Sequence, residues 1–486
     1  MGEKSLLRAG TMGALGFVAL LGGSLSSQAQ TPSEVSPINP PIVNCNSNNL
    51  NNPDSGLVTS VVPCAPNFVN VTGLDSLQHN FDFYSWLTFV ALNWPAEGSA
   101  PIGKGPRPGG DARTKWEDVT DFRQLSDVML PNGQRPTWGA RVVPAECRSK
   151  DGPGKMVIHL IEEAFDQPFR SGPLIDQNGN YALFDILMNK PMFDYIVDNT
   201  LYSRAGQRLF TQGRFDGSPD APSQSPGVPP TPPLGIVNFP KGSQPADGNP
   251  GTMGALMLKV SWKVLSNGED PARFHTVDGL VYTAPKNGKP GSCVEKKLGL
   301  VGFHAAHKTN DAPQWIWTTF EHVANAPEQQ DVENNKVAGR KFNFYDPACG
   351  DGKCPVNQTP PQPWDPQVEP FPNGYKSQVV RIPLPPEVSA GARALNDRFH
   401  GLDGVKGTVW QNYMLVSTQW PTDAANKVDP TGVPAPTYLA NTTLETYSQG
   451  DTPLSSSSCM ACHNNATTHH VPAVASDFTF TLEKAQ

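Results

Sequence analysis

Apolar positions recur every three or four residues in "LDSLQHNFDFYSWLTFVALNWP", residues 74 to 95, at Leu77, Phe81, Tyr84, Leu87, Ala91 and Trp94. That spacing predicts one long helix whose aromatics face a core, with Asp75 and Gln78 as a capping box and Pro95 as its stop. The period then changes. "KMVIHLIEEAF" (155 to 165) and "GALMLKVSWKVL" (254 to 265) alternate between apolar and polar and read as strands. Between them "NKPMFDYIVDNTLYSRAGQ" reads as a helix, with Pro191 in its first turn. "LGLVGFHAAHKTNDAPQWIWTTFEHV" (298 to 323) holds two apolar runs around a turn cluster and predicts a β-hairpin. Strand side chains alternate in direction, so His304 and His307 should face opposite sides of that hairpin. "VWQNYMLVSTQW" (409 to 420) predicts a further strand with Trp410, Asn412, Met414, Val416 and Trp420 on one face.

These elements predict an α+β fold: a β-rich, loop-rich body with a short C-terminal segment packed against it. Residues 30 to 70, rich in Asn, Pro and Ser, read as an extended arm, residues 71 to 420 as the body, and residues 421 to 486 as the C-terminal segment. Two Pro- and Gly-rich excursions, 216 to 251 and 346 to 374, should be long surface loops. No period of roughly 20 to 50 residues is present, which disfavours a propeller or solenoid. Composition agrees with a loop-rich body: 50 Pro and 44 Gly make up about a fifth of the 486 residues, and only 17% are charged. The net charge of −8 argues against a nucleic-acid partner.

At the N-terminus, Lys4 and Arg8 precede the run "AGTMGALGFVALLGG", followed by Ser27-Gln28-Ala29. A basic start, an apolar stretch and a small-x-small site form the pattern of a cleaved export signal over residues 1 to 29, and the run is short and glycine-broken for a membrane span. Export to the periplasm or beyond changes the reading of the eight cysteines, because disulfides persist there. Six of them suggest Cys45 with Cys64, Cys349 with Cys354, and by elimination Cys147 with Cys293, against buried free thiols as the alternative.

The remaining pair belongs to Cys459-Met460-Ala461-Cys462-His463, a C-x-x-C-H run. Two thiols one helical turn apart can add across the vinyl groups of a haem, while the adjacent imidazole reaches its iron. The residues therefore predict one covalent haem c on Cys459 and Cys462 with His463 as proximal ligand. A C-x-x-C disulfide, or a zinc site completed by His469 and His470, is the competing reading. Only 23 residues follow His463 and none is Met, so a sixth iron ligand other than His469 or His470 must come from upstream. His304 and His307 are the leading candidates and Met414 the next, with His322, His400 and an open iron position behind them.

"SWLTFVALNWP", "DQNGNYALFDILMNKPMFDYIVDN", "GFHAAHKTNDAPQWIWTTFEHV" and "SCMACHNNA" together resemble a group of large secreted bacterial proteins of the cytochrome c family, over most of residues 80 to 480. The resemblance implies the covalent haem and its His463 ligand and supplies no reaction. Three functions follow as expectations. The first is a periplasmic electron carrier that exchanges single electrons with a redox partner protein. The second is a haem-dependent oxidoreductase, peroxidase- or oxygenase-like, with an open iron position and a small-molecule substrate that the sequence leaves unidentified. The third is a binding or assembly protein containing haem. No dinucleotide-binding glycine motif, phosphate-binding loop or nucleophile motif competes with the haem reading, and no catalytic residue stands out.

Overall fold

A computed structural model describes residues 77–96, 113–159, 171–211, 237–243, 251–285, 288–349, 354–361, 374–402, 404–422, 433–450, 458–469 and 473–486, with the backbone of 43–44 and 64–65. Asp75, the Cys45 and Cys64 pairing, the export signal and most of both Pro-rich excursions lie outside the described residues. Residues 42 to 486 form one compact unit, so the C-terminal segment shares it with the body.

The core of that unit is a nine-stranded sheet. Its strands are β1 (Phe122–Gln124), β2 (Lys155–His159), β3 (Leu183–Asn189), β4 (Leu256–Val264), β5 (Thr276–Thr283), β6 (Ser292–Lys308), β7 (Trp315–His322), β8 (Tyr413–Pro421) and β9 (Pro434–Ala435). The main path runs β9-β8-β7-β6-β4-β3-β1, antiparallel throughout. β6 is 17 residues long and organises the rest: its second half lies between β4 and β7, and its first half pairs with β5, which runs parallel to β2. The Cys147–Cys293 disulfide ties the loop before β2 to the start of β6, and a second joins Cys349 to Cys354.

One face of the sheet carries helix α1 (Leu77–Leu92) and, beyond it, α5 (Pro386–Gly401). Among the described residues the other helices are α2 (Lys190–Asp198), α3 (Arg204–Thr211), α4 (Gln329–Glu333) and α6 (Cys459–His463). α1 is buried on nearly every side, because its aromatic stripe meets the sheet while its reverse meets α5. Phe89 stacks on Phe320 at 4.0 Å and Trp86 on Phe399 at 4.7 Å. Burial of such side chains stabilises by roughly 1.5–3 kcal/mol each. Several polar groups trapped with them are paired: Ser85 bonds Thr318 (2.7 Å) and Thr418 (2.6 Å), and Trp86 Nε1 donates to Asn396 (3.0 Å). The Gln78 amide donates to Ser417 Oγ and to the Thr418 carbonyl, locking α1 to β8, and the expected capping box lies outside the described residues with Asp75.

The helix expected across residues 189 to 207 is two helices, broken where Thr200 takes a left-handed φ of 52°. Asn189 caps α2 by accepting from Met192 N, with Pro191 in the first turn as the pattern required. The strand expected at 409 starts later, since Val409–Asn412 is a 3-10 turn. An irregularity between Leu415 and Ser417 also breaks its alternation. Val416 consequently joins the core that holds Met460, while Trp420 stacks on Phe81 below α1 at 4.8 Å.

Candidate functional site

α6 sits on the sheet face opposite α1. Alternation along β7 shows this: Ile316, Thr318 and Phe320 point to α1, whereas Trp317 points to the motif, its ring 4.5 Å from the His463 imidazole. Ser458 caps the short helix, its Oγ accepting from Ala461 N (3.0 Å), and Met460 N donates to Gln419 of β8 (2.9 Å). Cys459 and Met460 are buried in the core of this face, whereas Cys462 and His463 are half-buried and Asn464 and Asn465 exposed. One edge of the motif therefore reaches solvent.

Both motif cysteines are free. Burial pushes both thiols up, with Glu445 adding to the effect, so at neutral pH they stand protonated. No group of three His, Cys, Asp or Glu able to hold a metal ion occurs among the described residues. His469 points elsewhere, with Nδ1 on the Glu483 carbonyl (2.9 Å), and His470 lies outside the described residues.

The His463 imidazole is held in one orientation. Its Nδ1 lies 2.7 Å from the Phe478 carbonyl, which fixes Nδ1 as the protonated nitrogen and leaves Nε2 with its lone pair. Among the described residues Nε2 has no hydrogen-bond partner. Burial holds the imidazole down at about 4, so it is neutral at physiological pH, the state in which it binds a metal. Phe480 closes its other side at 5.1 Å. Trp317 Nε1 is buried and unpaired among the described residues, which costs about 1–3 kcal/mol unless an acceptor sits there.

No protein-family profile, curated protein or solved structure matches this chain.

Among the upstream candidates, the structure brings only His304 into the electrostatic neighbourhood of the motif. It lies on the same face as Trp317, beside Lys259 of β4, and its Nε2 is held by both Glu445 oxygens at 2.9 and 3.0 Å. Glu445 is set by the loop after β9: Asn441 Nδ2 donates to Thr319 Oγ1 (3.0 Å) and the Phe320 carbonyl (2.9 Å), and Asn441 N donates to Glu445 (2.9 Å). Burial raises the Glu445 pKa, but His304 and Lys259 outweigh it and hold the carboxyl below its ordinary value. Nothing in a single sequence marks Glu445, which lies 141 residues from His304.

His307 faces the other way, hydrogen-bonded through Nδ1 to Tyr84 of α1 and fully buried there. Met414 shares the face of the motif but pairs with Glu321, four residues along β7 from Trp317, or about 13 Å. His322 Nε2 donates to the Arg273 carbonyl and His400 Nε2 to the Tyr413 carbonyl, neither near the motif.

The segment after α6 returns to brace it. Thr467 pairs with Ala475 and Ser476 N donates to the Ala466 carbonyl (3.1 Å), after which Phe480–Lys484 forms a 3-10 turn. That turn docks on α3, where buried Gln207 donates to the Leu482 carbonyl (2.8 Å) and accepts from His469 N (2.9 Å).

Proposed function

We propose that this chain is a secreted c-type cytochrome with one haem, anchored through Cys459 and Cys462 and ligated by His463, that transfers single electrons to a redox partner protein. The resemblance to large secreted proteins of the cytochrome c family belongs to the same proposal. The observation that carries it is the His463 imidazole: in a C-x-x-C-H helix with free thiols, Nδ1 is engaged by a carbonyl and Nε2 is left available. Trp317 Nε1 adds a buried donor in want of an acceptor, which a haem carboxylate or an axial group would supply. The bound haem supplies a one-electron iron couple. The chain's residues do the rest. Cys459 and Cys462 would hold the haem through thioether bonds, each thiol adding across one vinyl group. Phe478 and Trp317 hold the imidazole plane, and the solvent-facing edge at Cys462 to Asn465 gives a partner close approach.

A periplasmic or extracellular location is part of the reading. It is supported by the export pattern at residues 1 to 29, by the Cys147–Cys293 and Cys349–Cys354 disulfides, and by the fact that no described helix is long and apolar enough to cross a membrane.

One observation favours the second reading, a haem-dependent oxidoreductase. The Nε2 of His304 is committed to Glu445 and His307 faces α1, so neither is poised as a second axial ligand. The same experiment separates the two readings. Protein exported from a host competent in haem attachment is denatured in alkaline pyridine, and its spectrum is read against Cys459→Ser, Cys462→Ser and the double variant. One equivalent of haem per chain that resists acid-acetone extraction, lost in the double variant, is the expected outcome; extractable haem or none removes the proposal. In the loaded protein a spectrum indifferent to carbon monoxide supports electron transfer, and one that shifts supports an open iron position.

A further inference from the structure

The Phe478 carbonyl that receives the His463 proton sits in an uncommon backbone. Asp477 and Phe478, neither a glycine, both have left-handed φ values, 51° and 61°. Asp tolerates that region better than most residues, but an aromatic does not, so the turn persists only if its surroundings hold it. Three elements do. Asp477 Oδ2 accepts from Lys308 Nζ at the end of β6 (2.6 Å) and from Phe239 N (2.7 Å), while the Asp477 carbonyl accepts from Trp315 Nε1 at the start of β7 (2.7 Å). The ion pair is buried, with side-chain exposures of 3% and 1%, and the Lys308 ammonium lies 5.6 Å over the Trp315 ring. Asn238 takes a further Lys308 proton (2.7 Å).

A buried ion pair of this kind adds little net stability compared with apolar side chains of equal volume. Its distinctive consequence is geometric. It fixes the turn whose next carbonyl is 2.7 Å from His463 Nδ1. We infer that the Lys308–Asp477 pair is a positioning device for the His463 imidazole: it holds the left-handed turn, and through the Phe478 carbonyl it sets the tautomer and electron donation of the proximal ligand. Neither residue touches the imidazole, so both are positioning residues. The inference rests on the proposed haem ligation for its redox consequence, though not for its tautomeric one.

A firm Nδ1–H···O=C bond makes the imidazole a stronger donor and favours oxidised iron, so loosening it raises the reduction potential. The test replaces both charges together, Lys308→Met with Asp477→Asn, so that no unpaired charge stays buried and position 477 keeps a residue that accepts left-handed backbone. Asp477→Asn alone, nearly isosteric, serves where the double variant does not fold. The comparison is Lys263→Met with Asp176→Asn, which removes another ion pair buried to 1% exposure on both sides.

Covalent haem content is read first, and its absence from the wild type sinks the proposed function. With haem content equal across the variants, we expect the Lys308/Asp477 variant alone to shift the one-electron equilibrium upward by about tenfold, or about 59 mV. An unchanged potential, or an equal shift in the comparison variant, overturns the inference. Should the wild type carry no haem, the 15N resonances of His463 decide: an Nδ1–H tautomer lost in the variant upholds the positioning role, and one retained overturns it.

Discussion

Gly302, in the second half of β6, shows how single positions shape the site. A Cβ there would overlap the side chains of Thr443 and Ser261, which bond each other at 2.7 Å. The loop carrying Thr443 also carries Asn441 and Glu445, so the bare backbone of Gly302 lets that loop lie flat on the sheet and bring Glu445 to His304. Gly302→Ala should therefore cost about 1–3 kcal/mol of stability in urea unfolding, as overpacking does in a filled interior. A variant as stable as the wild type would show that the loop yields freely and does not set Glu445. The glycine is visible in the sequence, but the close approach that requires it is not, because Thr443 arrives from 141 residues away along the chain.

At the level of elements, local signals were readable and partners were not. The hairpin of β6 and β7 and its opposed His304 and His307 follow from alternation, and the start of α2 follows from Asn189 and Pro191. The break before α3 does not, since the pattern continues through Thr200 and only the backbone departs from helix. In α1 the aromatic stripe was legible. Its other buried face was not, because Ser85 and Asp82 read as polar until Thr318, Thr418 and Ser417 arrive to pair with them. The motif itself was plain, whereas its main support, the Phe478 carbonyl, is backbone and carries no residue signature.

The C-terminal segment depends on the body in the same way. Gln207 on α3 is fully buried and makes three hydrogen bonds, to the Leu201 and Leu482 carbonyls and from His469 N. Gln207→Leu leaves those backbone groups unpaired at about 1–3 kcal/mol each. Hydrogen exchange should accelerate in residues 464 to 486 well before the central sheet opens. Loss of protection spread evenly over β4, β6 and β7 would instead mean that tail and sheet open as one unit.

For the whole molecule, buried titratable groups of opposite kinds set the dependence of stability on pH. Desolvation raises Asp82 to about 7 and Asp185 to about 8, in both cases against partly compensating hydrogen bonds. A carboxyl raised in the folded state contributes stability that is complete below its unfolded value near 3.8 and is lost as pH rises through the folded value. Desolvation lowers His307 to about 3 and His322 to about 4, so these histidines act in the other direction: their contribution is complete above about 6.5 and is lost as pH falls toward those values. Between about pH 4 and 6.5 the two pairs oppose each other and their contributions nearly cancel. Above 6.5 the histidines have nothing further to add, while Asp82 and Asp185 must still be kept protonated or ionise in the core. The urea midpoint should accordingly fall from pH 6.5 to pH 8 in the wild type and stay nearly level in an Asp82→Asn/Asp185→Asn variant. A wild-type midpoint that rises over that interval would mean that both carboxylates are ionised in the folded protein, with the hydroxyls and amides around them outweighing the cost of burial.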